Sequence, residues 1–258
     1  MPKPLILVTN DDGVNAKGIS ALIEMVRPYG RLVVVAPEVS NSGMSHALTF
    51  EQPLRLRMVS KSNDVAIYAC NGTPVDCVKL AMGHAVSEAP AMLVSGVNHG
   101  SNSSVSVLYS GTLGAAAEGS LYEIPSIGFS LLDHSRDADF TAAIHYGRKI
   151  IEKVLEDSFH PRTYLNINVP KLPIEKIKGI RLCRQTDGTY REEYEKRIDP
   201  HGYEYYWLTG KYINNEPDAT DTDEYFLDNG YITVVPVHPD MTAYQELEKM
   251  KKTWGSLI

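Results

Sequence analysis

The sequence lacks the features of several large classes of protein. Of its 258 residues only three are cysteines, Cys70, Cys77 and Cys183, and their odd number and spacing fit neither a disulfide framework nor a zinc site. No apolar run approaches the roughly 20 residues of a membrane span, and Met1–Pro4 does not begin a signal peptide. We therefore expect a reduced, cytoplasmic protein that does not associate with a membrane.

Positive charge is also scarce, because 25 lysines and arginines face 32 aspartates and glutamates, which gives a net charge of −7. A sequence-independent nucleic-acid binder needs a basic face, so we expect no nucleic-acid polymer as a partner. Hydrophobic residues make up 43% and charged residues 22% of the chain, which is typical of a globular protein. The length suits one large domain or one domain with an appendage.

A βαβ pattern opens the chain. Leu5–Thr9 is an unbroken apolar run, typical of a strand that is covered on both faces. After the polar turn Asn10–Gly13, apolar residues recur at helical spacing, and Leu32–Ala36 is a second strand of the buried type. The two strands should be parallel and joined by a right-handed crossover.

Strands and helices continue to alternate along the first 170 residues. We predict strands at Leu54–Met58, Val65–Cys70, Ala91–Val97, Pro125–Ser130 and Leu165–Pro170, and helices at Pro74–Val86, Gly111–Tyr122 and Phe140–Leu155. This alternation predicts an α/β fold whose mainly parallel, Rossmann-like sheet carries helices on both faces.

The composition changes after about residue 180, where tyrosines become frequent. Residues 190–213 have turn chemistry at Asp199–Gly202 between two polar, aromatic arms, which predicts an extended β-hairpin. This hairpin is either a surface ribbon on its own domain or an arm that binds another subunit. We accordingly divide the chain into a Rossmann-like catalytic domain, 1–180, and a smaller C-terminal part, 181–258.

Three further elements are predicted in the C-terminal part. The acidic stretch Glu216–Asp228 should be a solvated loop, and Tyr231–Pro236 should be a final strand. Thr242–Gln245 resembles a capping box that opens a C-terminal helix.

Ligands of an open parallel sheet bind outside the carboxyl ends of its strands. Four polar segments fall at or just after such ends: Asn10–Gly13, Ser40–Ser45, Asn98–Asn102 and Ser110–Thr112. Two adjacent carboxylates, as in the first segment, repel each other unless a cation such as Mg²⁺ lies between them. The alternative is that one of these acids caps the following helix while the other faces solvent.

The remaining polar side chains of these segments also allow two interpretations. Ser42 and Asn98 can offer neutral oxygen ligands, or they are ordinary loop and turn residues. The start of the helix at Ser110 can bind an anion through free N–H groups and hydroxyls, or it is a plain N-cap. His46 and His99 flank the expected pocket and either assist proton transfer or have structural roles.

Two common nucleotide-binding signatures are absent. Gly13–Ser20 begins like a P-loop, but Ile19 stands where the lysine is required. No G-x-G-x-x-G follows the first strand, which argues against a dinucleotide-binding site.

Seven motifs, taken in order, resemble the SurE family, the stationary-phase-survival nucleotidases. They are Val8–Gly13, Val35–Glu38 with the serine-rich loop, Asn71–Val78, Val94–Asn102, Tyr109–Thr112, Leu165–Pro170 and Gly230–Val237. Together they span nearly the whole chain, from residue 5 to about residue 245.

The resemblance implies a metal-dependent phosphatase that acts on nucleoside 5′- and 3′-monophosphates, and some members of the family also trim polyphosphate. It implies dimers or tetramers that exchange C-terminal elements. One Mg²⁺ or Mn²⁺ per subunit would be bound by Asp11, Asp12, Ser42 and Asn98.

We expect the phosphate to be held by Gly43, Asn102, Ser110, Gly111 and Thr112. Asp11 and Asp12 would be the catalytic residues. Asp11 would take the proton of the attacking water, or alternatively form an aspartyl-phosphate. Two other functions stay open: a non-enzymatic nucleotide sensor on the same fold, and an assembly protein whose tyrosine-rich arm is its purpose.

Overall fold

The structure, a computed structural model, describes residues 3–157, 159–160 and 162–255. Its strands are β1 (Leu5–Thr9), β2 (Arg31–Pro37), β3 (Leu56–Lys61), β4 (Val65–Cys70), β5 (Met92–His99), β6 (Ser126–Leu131), β7 (Tyr164–Val169), β8 (Ile180–Leu182), β9 (Gly188–Ile198), β10 (Glu204–Asn214) and β11 (Ile232–Val237). Its α-helices are α1 (Lys17–Val26), α2 (Pro74–Leu80), α3 (Gly111–Leu121), α4 (Thr141–Glu156), α5 (Asp223–Asp228) and α6 (Tyr244–Trp254). No helix within these ranges is long and apolar enough to cross a membrane.

Nine strands form one sheet in the order β3-β4-β2-β1-β5-β6-β7-β11-β8. The six strands from β4 to β7 in this order are parallel, whereas β3 and β11 run antiparallel to their inner neighbours. The chain builds outward from β1 to β4, then returns to β5 on the other side of β1. The α/β fold with a mainly parallel sheet is confirmed, and its topological switch point lies between β1 and β5.

Helices cover both faces of the sheet because successive strand residues point to opposite sides. In β1, Ile6 and Val8 belong to the core cluster that includes α1 and α4, whereas Leu5 and Leu7 pack in the cluster that includes α2. All four side chains are buried. The unbroken apolar run of this strand is therefore explained by burial on two faces.

The extended hairpin is confirmed as a separate two-stranded sheet of β9 and β10. Its strands pair without interruption from Gly188 opposite Asn214 to Ile198 opposite Glu204. Most of its side chains are exposed. Strands β8 and β11, in contrast, extend the main sheet beyond β7.

The prediction of a solvated loop over Glu216–Asp228 is wrong in its second half. Thr222 caps α5, and Asp223 is fully buried. The Asp223 carboxylate accepts hydrogen bonds from the backbone N–H groups of Ser104 (2.8 Å) and Thr186 (2.9 Å). These donors stabilise a buried charge that the acidic composition alone suggested was solvated.

The capping box predicted at Thr242–Gln245 is also wrong. Helix α6 begins at Tyr244 and has no side-chain cap, while the N–H of Thr242 donates to Asp240 (2.9 Å). A true capping box opens α2, where Thr73 accepts from the Asp76 N–H (3.1 Å) and Asp76 accepts from the Thr73 N–H (2.9 Å). Helix α2 ends sooner than predicted and continues as one wide π-type turn, Ala81–Ala85.

Helix α1 approaches strand β5 closely at Gly18. A Cβ atom at this position would lie 2.0 Å from the backbone oxygen of Val97, a distance that no side chain can tolerate. Close contact of the two backbones therefore requires glycine here.

We predict that Gly18→Ala destabilises the protein by about 1–3 kcal/mol, because the new methyl group forces α1 away from β5. Gly83→Ala is the matched control, since nothing lies within 4 Å of the Cβ position there. Urea unfolding of the three proteins measures the difference. A Gly18→Ala variant as stable as Gly83→Ala would contradict the close contact.

Glu118 links α3 to two other parts of the fold. Its buried carboxylate meets Lys79 Nζ on α2 (2.7 Å) and His46 Nε2 in the loop after β2 (3.1 Å). Burial alone raises the pKa of Glu118, but the hydrogen bonds from His46 and Lys79 outweigh it and hold the pKa below its ordinary value. The charged form of Glu118 therefore stabilises the fold.

Because this pKa is lower in the folded than in the unfolded protein, the stabilisation is present above pH 4.5 and is lost as the pH falls further. We predict that Glu118→Gln lowers the free energy of unfolding by about 1–3 kcal/mol at pH 7, and that the deficit shrinks below pH 4.5. Urea unfolding at several pH values measures both effects. Glu156→Gln, at an exposed side chain, is the control, and a deficit independent of pH would contradict this role of the charge.

Candidate active site

A cavity of about 570 Å³ opens at the carboxyl ends of β1 and β5, at the switch point of the sheet. Its walls come from the main sheet on one side and from the base of the hairpin on the other. The lining residues are Asp11, Ser42, Gly43, Asn98, His99, Ser101, Asn102, Ser106, Tyr109, Ser110, Tyr190, Glu192, Leu208, Thr209 and Gly210.

The turn after β1 is fixed by the side chain of Asn10. Its amide donates to the carbonyl of Gly13 (3.0 Å) and its oxygen accepts from the Gly13 N–H (3.3 Å). Gly13 has a φ of +105°, which side chains rarely adopt, so the turn requires glycine. The two aspartates between these residues are thereby held at the mouth of a buried strand.

Asp11 is enclosed by the beginning of α3. Only 3% of the residue is exposed, and its Oδ1 accepts a hydrogen bond from Thr112 Oγ1 (2.5 Å). A Cβ atom at Gly111 would lie 2.9 Å from the Cβ of Asp11. The small residues that open α3 therefore allow the helix to pack directly against the carboxylate.

Negative charge is disfavoured at both aspartates. Burial, together with the neighbouring charge of Asp12, raises the pKa of Asp11 to about 6, against the lowering effect of the hydrogen bond from Thr112. Burial also raises the pKa of Asp12, although the His99 N–H, 3.4 Å from its Oδ2, acts in the opposite direction. The hydrogen bonds to these two adjacent carboxylates therefore do not fully offset the cost of their negative charge, and a bound cation would relieve that cost.

Asn98 reaches the cavity from the end of β5. Its Nδ2 donates to the carbonyl of Gly100 (2.9 Å), which orients the carboxamide, and the residue lines the cavity. The pairing of β5 with β6 is irregular between Ser95 and Asn98, and a Cβ at Gly96 would lie 2.3 Å from the Phe129 oxygen. Such an irregularity redirects a side chain at the end of a strand.

The loop after β2 is attached to the same corner of the sheet. The N–H of Asn41 donates to the backbone oxygen of Asp11 (2.7 Å), and the N–H of Ser45 donates to that of Tyr109 (3.1 Å). Ser42 and Gly43, which lie between these attachments, line the cavity. The Ser42 hydroxyl is also within 3.1 Å of the Ser40 hydroxyl.

Asn102 is held by a buried network of amides. Its N–H donates to Asn168 Oδ1 (2.9 Å), its carbonyl accepts from Asn166 Nδ2 (2.8 Å), and its own Nδ2 donates to Ser130 Oγ (2.8 Å). Asn166 and Asn168 were not among the predicted site residues. Their signal in the sequence is two asparagines at alternate positions of an otherwise apolar strand, Tyr164–Val169.

Six of the predicted site residues line one cavity: Asp11, Ser42, Gly43, Asn98, Asn102 and Ser110. Asp12 lies beside it, against the backbone of His99. Thr112 is fully buried, and its hydroxyl donates a hydrogen bond to the Asp11 carboxylate, which fixes the position of that carboxylate.

The remaining candidate residues of the expected site lie in different places. Ser110 is the N-cap of α3, accepting from the Leu113 N–H (3.1 Å), and it also lines the cavity. His99 lines the cavity, but His46 is paired with Glu118. Tyr109, Tyr190 and Glu192 were not predicted as site residues.

The donor set suits a hard divalent cation. Within the described ranges, no group of three or more histidine, cysteine, aspartate or glutamate side chains is arranged to hold a metal. The site instead offers two carboxylates with the neutral oxygens of Ser42 and Asn98. Mg²⁺ and Mn²⁺ accept such oxygen ligands and retain several waters, whereas zinc prefers histidine and cysteine.

Comparison with known proteins gives matches over nearly the whole chain. The family model described as "Survival protein SurE" matches residues 6–192. The protein named 5′-nucleotidase SurE from Flavobacterium johnsoniae is 49% identical over 253 residues, which cover 98% of this chain and 97% of that protein. The protein of the same name from Chlorobaculum tepidum is 40% identical, with 98% and 95% covered.

A solved structure agrees with these matches. The crystal structure of the SurE protein from Aquifex aeolicus superimposes with a TM-score of 0.82 at 38% sequence identity. The match covers 97% of this chain and 99% of that chain. On the family model, the relatives and the shared fold, this chain belongs to the SurE family.

Proposed function

We propose that the chain is a divalent-metal-dependent nucleotidase that hydrolyses nucleoside 5′- and 3′-monophosphates to nucleoside and phosphate. The observation that carries this proposal is the cavity in which Asp11, Ser42 and Asn98 meet beside the start of α3. The name of the relatives, 5′-nucleotidase SurE, supports the substrate class.

Asp11, Asp12, Ser42 and Asn98 would hold one Mg²⁺ or Mn²⁺. When bound, the cation supplies positive charge against the phosphoryl oxygens and the paired carboxylates. The raised pKa values of Asp11 and Asp12 support this assignment, as does the position of Asn98 in the lining of the same cavity.

The phosphate would be held by groups that the structure already orients. The side chain of Asn102 is fixed by Ser130, and the first N–H groups of α3, including that of Gly111, lack partners within the helix. The Ser110 hydroxyl and the backbone at Gly43 would complete this set of phosphate-binding groups. Thr112 contributes through its hydrogen bond to Asp11.

Asp11 would act as the proton acceptor. Its carboxylate would take the proton from the attacking water, and the hydrogen bond from Thr112 to Oδ1 holds this carboxylate in place. The water oxygen forms a bond to phosphorus as the ester bond breaks in line. The leaving nucleoside oxygen takes a proton from solvent, and Asp11 returns the proton that it accepted to solvent. Most of the rate enhancement then comes from position and charge, as in other phosphoryl transfers.

We further propose a homodimer or homotetramer that is formed through C-terminal elements. Tyr194 and Trp207 of the hairpin are each more than half exposed. Burial of these apolar side chains against a second copy would stabilise an assembly.

Removal of divalent metal should abolish hydrolysis of adenosine 5′-monophosphate, because the carboxylate pair then repels the phosphate. Phosphate release is measured before and after chelation, and again after addition of Mn²⁺ or Mg²⁺. We expect recovery on addition of either ion. A chelated, folded protein that keeps its rate would contradict the proposed metal site.

Asp12→Asn should lower phosphate release more than about a hundredfold, because it removes one charged ligand. The variant should remain folded, since it also removes the repulsion with Asp11. Mn²⁺ should raise the melting temperature of the wild-type protein but not that of the variant.

Asp137→Asn is the matched control, because that aspartate is almost fully exposed and pairs with Lys17 (3.1 Å). It should keep the wild-type rate and the response to Mn²⁺. Nucleotide binding without turnover in saturating Mn²⁺ would instead favour the sensor, and an Asp12→Asn variant with full activity would reject the metal assignment.

A further inference from the structure

The cavity is larger than a phosphate group requires. Its volume of about 570 Å³ lies in the range of roughly 300–1,000 Å³ that is typical of sites for whole small molecules. The groups assigned to metal and phosphate line one end. The other end is lined by the turn before α3 and by the base of the hairpin, and none of its residues has a role so far.

The base of the hairpin is anchored beside the phosphate end. Tyr190 OH lies 2.8 Å from Ser106 Oγ, and Tyr212 OH donates to Ser104 Oγ (2.9 Å). Both serines belong to the short turn between the phosphate-binding candidates Asn102 and Ser110. The hairpin residues of the cavity therefore have a defined position relative to the phosphate.

Two tyrosines form an aromatic wall at this end. The ring of Tyr190 packs edge-to-face against Tyr109 (6.4 Å between centroids) and against Tyr212 (5.8 Å). Tyr109 and Tyr190 line the cavity, yet they remain 54% and 44% exposed. Aromatic rings that are fixed in position and open to a cavity offer flat surfaces on which a nucleobase can stack.

A carboxylate stands next to this wall. Glu192 follows Tyr190 by two residues, so both lie on one face of β9, and it pairs with Gly210 across the hairpin. Both Glu192 and Gly210 line the cavity. A carboxylate accepts hydrogen bonds from ribose hydroxyls, whereas its charge opposes a second or third phosphate.

We propose that Tyr109 and Tyr190 form the nucleobase-binding wall of the site, and that with Glu192 they select nucleoside monophosphates over base-free phosphate esters and over phosphate chains. This inference rests on the proposed nucleotidase function. The hairpin would then recognise the nucleoside that leaves, whereas the carboxylate pair would act at the phosphate.

The test compares kcat/KM for adenosine 5′-monophosphate with kcat/KM for ribose 5-phosphate, in excess Mn²⁺. The ratio isolates the contribution of the base, because both substrates share the sugar and the phosphate. Tyr190→Ala and Tyr109→Ala should each lower this ratio about tenfold, mainly through the KM of the nucleotide. Tyr190→Phe should lower it less than threefold, because the ring that stacks is retained.

Tyr206→Ala is the control within the hairpin. Tyr206 is exposed, bonds to Glu204 (3.0 Å) and does not line the cavity. It should keep the wild-type ratio, and light scattering shows whether any variant changes the assembly. Unchanged ratios in both alanine variants of the wall, with the protein folded, would overturn the proposal.

Glu192→Gln tests the carboxylate, because it removes the charge and keeps the shape. Hydrolysis of inorganic triphosphate relative to adenosine 5′-monophosphate should rise severalfold, and an unchanged ratio would remove Glu192 from the proposal. Calorimetric titration of the same ligands separates this inference from the proposed function. If the wild-type protein binds without turnover, the nucleotidase proposal fails, and the same binding ratios decide whether the wall recognises the base.

Discussion

Two adjacent carboxylates at the end of a buried strand impose the constraint on which the site depends. Asp11 is almost completely enclosed, and both this burial and the charge of Asp12, which follows it directly, disfavour ionisation of Asp11. The hydrogen bond from Thr112 offsets only part of this cost. A bound cation would relieve this cost, and the oxygens of Ser42 and Asn98 would suit a hard one.

Much of the neighbouring structure follows from placing that pair at the switch point. Helix α3 can begin against Asp11 only because Gly111 has no side chain. The loop after β2 reaches the same corner through the bond from Asn41 to the backbone of Asp11. On the far side, the amide network of Asn166 and Asn168 fixes the position of Asn102. Each contact reduces the freedom of a group that would otherwise have to be ordered by substrate.

The parts of this arrangement that could be predicted from sequence are those set by local pattern and strand order. The apolar run before Asp11 indicated a doubly covered strand, and the polar segments at strand ends indicated where Ser42, Asn98 and Asn102 converge. Asp223 could not be placed, because the donors that make its burial tolerable, at Ser104 and Thr186, are distant in sequence. The hydrogen bond from the Thr112 hydroxyl to Asp11 could not be predicted either, because it depends on how α3 packs against a residue that is distant in sequence.

The part of the cavity that the hairpin lines could not be predicted from the sequence. The structure also shows that the two ends of the cavity are built differently. The aromatic residues of the hairpin predicted a ribbon, but the bonds of Tyr190 and Tyr212 that hold its base at the site are made to serines 84 and 108 residues away in the sequence. The end of the cavity that we propose to bind phosphate is built from buried hydrogen bonds at the main sheet, whereas the hairpin end uses exposed side chains on a separate sheet. Substitutions at exposed positions of the hairpin are therefore expected to leave the buried carboxylates undisturbed, because the hairpin is a sheet of its own. A fold arranged in this way can conserve one chemistry while its substrate preference varies.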